Sequence, residues 1–172
     1  MAVLLCKRLP LGVKQPMAFR KQTWPKPFDL YHLSMADHDG ETFIPRPMSP
    51  SDVMEGENWR AKRICVSGTI DGALSSIASS LVNPFGQEYY VHTVSNSLEL
   101  FKAGSVHQPT QKQVPDAPLT GELWLKKPAV MKCIGKIAVT GIDADADMSY
   151  IDDDGELVEV DAFTWKWIDK KD

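Results

Sequence analysis

The sequence predicts an α+β fold: a mostly antiparallel sheet of roughly six or seven strands with one main helix. Three observations lead there. Several short segments alternate apolar and polar residues with the period of two that a strand requires. These segments follow one another with few helical crossovers, which favours antiparallel neighbours over a doubly wound parallel sheet. Only one stretch carries a clear helical period.

Along the chain, residues 1–28 form a basic, proline-rich arm with Pro10, Pro16, Pro25 and Pro27 and little periodicity. Proline removes backbone donors and disfavours helix in the residue before it, so an extended arm is expected, followed by a single domain over 29–172. "DLYHLS" (29–34) is the first strand. A long polar loop with Pro45, Pro47 and Pro50 follows. Residues 63–67 of "KRICVSGTIDGALSSIASSLVNPFG" read as a strand turning at Ser67-Gly68. Thr69 or Asp71 can cap a helix running to about Val82, because Ile70, Ala73, Leu74, Ile77, Ala78 and Leu81 fall on one face. Asn83-Pro84 stops that helix. "EYYVHTVS" (88–95) alternates as a strand, and a second proline-containing loop over 103–120 leads to the strand "GELWLKK". "MKCIGKIAVTGI" (131–142) is a longer strand with Gly135 as a bulge. The last segment predicts a hairpin around Asp154-Gly155, with strands near 147–151 and 156–167. Trp165 and Trp167, two apart, share one face of the final strand.

Composition limits the function classes. With a net charge of −4, nothing suggests a general nucleic-acid binder. Residues 1–28 carry six Lys/Arg and no acid, whereas from Asp143 onward 11 acidic residues face three lysines. No apolar run approaches the length of ~20 residues that spans a bilayer. The N-terminal "MAVLLCKRLPLGV" is interrupted by Lys7, Arg8 and Pro10 and is not read as a secretion signal. Cys6, Cys65 and Cys133 are widely spaced with no CxxC pair, so neither a disulfide framework nor a zinc site is expected, and the reducing cytoplasm is the expected compartment.

Several familiar motifs fail on inspection. Asp143, Asp145 and Asp147 occupy calcium-loop positions, but Met148 stands where the loop needs glycine and Asp154 where it needs glutamate. "SGTIDG" lacks the Walker lysine, and neither GxGxxG nor GxSxG occurs. No metal is expected.

Three segments remain: "LYHLS", a strand with a central histidine; "RICVSGTIDGALSSI", a strand that ends in a hydroxyl residue and turns into a helix; and "PLTGELWLKKP", a strand headed by Glu122. Their order over residues 29–142 resembles the three-part signature of the ADP-ribosyltransferase-like superfamily. The resemblance implies a split or strongly bent sheet that clasps NAD as substrate. It implies that His32, beside Tyr31, bonds the adenosine ribose, that Ser67 and Thr69 line the nicotinamide pocket, and that Glu122 stabilises the cationic sugar as nicotinamide leaves. Tyr89 or Tyr90 offers a ring to stack on nicotinamide. His92 would replace His32 under a different register. The family's second Glu or Gln, two residues before the glutamate, is Thr120 here, and "VSG" replaces a full Ser-Thr-Ser. These departures suit an NAD hydrolase, a transferase to an acceptor other than arginine, or a member that only binds.

The alternative is a non-catalytic interaction protein of the phage-inhibitor type. It would bind a host protein through the acidic C-terminal region 143–161, and neutralising Asp152, Asp153 and Asp154 would then release the partner.

Overall fold

The computed structural model describes residues 29–53, 56–79, 85–142, 149–151, 157–159 and 162–171. The basic arm, Asp143 to Asp147 and Asp152 to Asp154 lie outside the described residues. So do the last residues of the expected helix.

The antiparallel α+β expectation is met. Strand β1 (Tyr31–Ser34) and the short β2 (Thr42–Phe43) precede β3 (Ile64–Ser67), which leads into helix α1 (Ile70–Ser79). Strand β4 (Glu88–Val94), helix α2 (Ser97–Lys102), strand β5 (Val106–His107) and the one-turn helix α3 (Ala117–Thr120) come next. The chain closes with β6 (Glu122–Leu125), the long β7 (Ala129–Ile142), β8 (Ser149–Ile151), β9 (Leu157–Glu159) and β10 (Phe163–Lys170). Eight strands form one sheet in the order β10-β7-β4-β1-β3-β6-β5, with β2 also on β7, and every pairing is antiparallel. Strands β8 and β9 make a separate hairpin. The single expected strand over 156–167 is therefore two: β9 completes the hairpin, and β10 leaves it to pair with β7. Helix α2 and the two-residue strands β2 and β5 are too short for a periodic pattern, which is why the sequence does not announce them.

Two apolar clusters occupy the two faces of the sheet. Leu33, Leu74, Val91, Ile137 and Phe163 pack with α1 on one side; Leu30, Val66, Leu100, Leu123 and Met131 pack with α2 on the other. Strand β7 serves both, because its register slips between His92↔Cys133 and Val91↔Gly135. This bulge beside Gly135 moves the buried residues from one face to the other. Trp165 and Trp167 meet edge to face at 5.7 Å, and Trp165 Nε1–H donates to Asp71 Oδ1 at 2.7 Å, which ties β10 to the start of α1.

One seam in the sheet is thin. Strand β1 pairs with β4 at four positions but with β3 only at Tyr31↔Ser67. Beyond that pair the His32 side chain spans the gap, with Nδ1 3.1 Å from Cys65 O.

Candidate functional site

The short β6 decides where Glu122 sits. Gly121 ends α3 in the left-handed conformation (φ 61°), which the missing Cβ permits, and turns the chain straight into the strand. Glu122 thus heads β6 opposite Ser67 on β3, and Ser67 is opposite Tyr31 on β1. Directly paired residues point to the same side of a sheet, so Tyr31, Ser67 and Glu122 form one row on the α1 face. His32, next to Tyr31, projects to the other face, where its ring meets Phe43 edge-on at 5.2 Å and lies 6.4 Å from that of His92.

A cleft of about 170 Å³ opens beside the β1–β3 seam under α1. Its lining includes Tyr31, His32, Cys65, Ser76, Glu57, Asp116 and Glu122. Cavities of roughly 150 Å³ hold one aromatic ring. The cleft therefore accepts a ring-sized group, and the remainder of a larger ligand would lie outside it.

Glu122 is the chemically unusual group in the lining. It is only 7% exposed, and Trp124 Nε1–H donates to its Oε1 at 2.6 Å. Burial pushes its carboxyl up to about 7, and the charges of Glu57 and Asp116 add to this, while the bonds from Trp124 and Cys65 oppose it. Trp124 itself is fully buried, with the Arg63 guanidinium 4.5 Å and the Lys126 ammonium 4.3 Å from its ring centroid. Arg63 is in turn paired with Glu57 and donates to Asn58 O at 2.6 Å. Burial pushes the Cys65 thiol up, so it stays protonated and is a poor nucleophile. The same effect lowers His32 to about 4; the bond to Cys65 O opposes this, and His92 and His38 add to it. Neutral His32 then donates Nδ1–H to Cys65 O and keeps its lone pair on Nε2.

The other expected site residues are structural in their contacts. Ser67 is 1% exposed, lies outside the cleft lining and donates Oγ–H to Thr120 O at 2.8 Å. Thr69 Oγ1 accepts from Gly72 N–H at 3.0 Å, capping α1 as its position suggests. Gly72 packs so tightly that a Cβ there would clash with Thr120 O and Ser67 Oγ. Tyr89 is 2% exposed in the α1-side core, outside the cleft lining, and its hydroxyl has no partner among the described residues. Cys65, Glu57, Asp116, Arg63 and Trp124 escaped the sequence reading. Alternation on "RICVS" and "ELWL" places Cys65 and Trp124 on the glutamate's face, but only once the two strands are known to pair in this register.

No protein-family model, curated protein or solved structure matches this chain. No helix among the described residues is long and apolar enough to cross a membrane.

Proposed function

We propose that the cleft takes the nicotinamide end of NAD and that the protein cleaves the nicotinamide–ribose bond, passing ADP-ribose to water or to an acceptor. The observation that carries this reading is Glu122. A carboxyl raised to about 7 in the lining of a ring-sized cleft, which also includes Tyr31 and His32, supports a role in stabilising a cation that develops on a sugar. In the reaction the C1′–N bond breaks and its electron pair leaves with nicotinamide. The ribose becomes oxocarbenium-like, and a nucleophile that loses its proton fills C1′. Ionised Glu122 stabilises that charge, and the Trp124 indole fixes the carboxylate's orientation. Tyr31 lines the wall, and His32 holds the seam against Cys65 O.

The test is nicotinamide release from NAD by the purified full chain, with and without cell lysate as a source of acceptors, together with calorimetric NAD binding. Glu122→Gln should lower release by about 10²–10³, the usual range for loss of one transition-state charge contact. His32→Ala should weaken NAD binding. Absence of both release and binding in the wild type would end the reading.

A further inference from the structure

On the opposite face of the sheet from Glu122, donor atoms of Asp37, His92 and Cys133 all lie within 4.8 Å of one another. His92 and Cys133 are cross-strand partners on β4 and β7, and both are buried. Asp37 comes from the turn after β1, and that turn is held in place by its own bonds. His38 N–H donates to His92 Nε2 at 3.0 Å, Asp39 N–H to Asp37 Oδ1 at 3.0 Å, and Cys133 N–H to Asp39 Oδ1 at 2.8 Å. Gly40 N–H donates to Met131 O at 2.9 Å. The carboxylate is thus brought to the two strand residues by a braced loop, which is the kind of support a binding site needs.

The arrangement is electron-rich at its centre. Because Nε2 of His92 accepts from His38, the ring's proton belongs on Nδ1, and the Nε2 lone pair is engaged by the His38 N–H, the bond that a metal would replace. Asp37 Oδ1 stands 3.6 Å from that nitrogen, too far for a hydrogen bond. Two ligands on one tetrahedral zinc, each with a bond of about 2.0–2.2 Å, are separated by about 3.3–3.6 Å. Imidazole, thiolate and carboxylate together form the mixed donor set that suits zinc and related transition metals, with a fourth position left for water. Lys171 Nζ donates to Asp37 Oδ2 at 3.3 Å, so a cation already compensates the carboxylate.

We infer that Asp37, His92 and Cys133 form a binding site for a thiophilic divalent cation of the zinc type, independent of the nucleotide cleft. Binding takes the proton from the Cys133 thiol to solvent, replaces the His38 N–H on Nε2 with the metal and displaces the Lys171 ammonium from Asp37. No electron transfer is involved. With two anionic ligands the bound ion is neutralised locally, which offsets the loss of its hydration. Widely separated positions 37, 92 and 133 explain why no ligand-spacing motif marks the site in the sequence.

The test uses the full reduced chain titrated with cobalt(II) chloride. The expected result is a near-ultraviolet thiolate-to-cobalt absorption with visible bands of tetrahedral cobalt, saturating at one equivalent and abolished by zinc. Cys133→Ser should remove the near-ultraviolet band. Because Cys133 is a core residue, Asp37→Ala, at an exposed position, is the second variant and should weaken the apparent affinity by at least about tenfold. No band in the wild type at millimolar cobalt overturns the inference. So does a band that survives Cys133→Ser, or an affinity unchanged by Asp37→Ala.

Discussion

Replacing Glu122 with glutamine should stabilise the protein in a way that depends on pH. The carboxyl has an ordinary value of 4.5 and rises to about 7 in the folded chain, mainly through burial. A raised acid binds its proton more tightly when folded. Its favourable contribution is therefore complete below pH 4.5, declines as pH rises to about 7, and is absent above that. The shift corresponds to about 3 kcal/mol, taking ~1.4 kcal/mol for each pH unit. Glutamine carries no proton to lose, yet its amide oxygen still accepts the Trp124 Nε1–H bond. The variant should match wild type near pH 4.5, apart from a constant offset, and exceed it by about 3 kcal/mol at pH 8. Urea unfolding at both pH values reads this directly. With slopes of about 1–3 kcal/mol per molar urea, the midpoint difference between the two proteins should widen by roughly 1–3 M. A difference that is the same at pH 5 and pH 8, or that shrinks, would refute the claim that Glu122 is held against its own charge. On the proposed NAD-cleaving function, the gain in stability should accompany loss of cleavage, since a site that keeps a buried charge ready for reaction would store that cost in the resting fold.

Further outcomes follow from the same contacts. If ionised Glu122 is the working form, nicotinamide release should rise with pH through about 7 and then level off; a profile falling over that interval contradicts it. Trp124→Phe keeps an aromatic ring beside Arg63 and Lys126 but removes the bond to Glu122, which should move the pH midpoint upward and cost about 1–3 kcal/mol; an unchanged midpoint shows that the indole does not tune the carboxyl. Gly72→Ala should destabilise by about 1–3 kcal/mol through forced separation of α1 from the Thr120 turn, and an unaltered melting temperature would deny that close approach. Arg63→Met removes the buried cation that pairs with the largely covered Glu57 and should cost about 3–5 kcal/mol, whereas a loss below about 1 kcal/mol would show that the pair contributes little.

The sequence was most legible where structure is local. The alternation in "YHLS", "ICVS" and "EYYVHTV" and the helical spacing after Thr69 correspond to β1, β3, β4 and α1 within a few residues. Gly135 does mark a bulge. The C-terminal segment was harder, since periodicity cannot say whether 156–167 is one strand or two strands with different partners. Among the expected site residues, Glu122, His32 and Tyr31 line one cleft, whereas Ser67 is used up in a bond to Thr120 O and Tyr89 in the core.

What the sequence by itself determined is the set of elements and the antiparallel class, because a period of two or of 3.6 is written into neighbouring residues. Only the tertiary structure decided that Tyr31, Ser67 and Glu122 share a row while His32 takes the other face, since side-chain direction follows strand pairing and one step of register reverses it. The same holds for the character of Glu122. A glutamate at a strand head is ordinarily solvated; here burial raises its carboxyl, and the charges of Glu57 and Asp116, brought from two other segments, add to that.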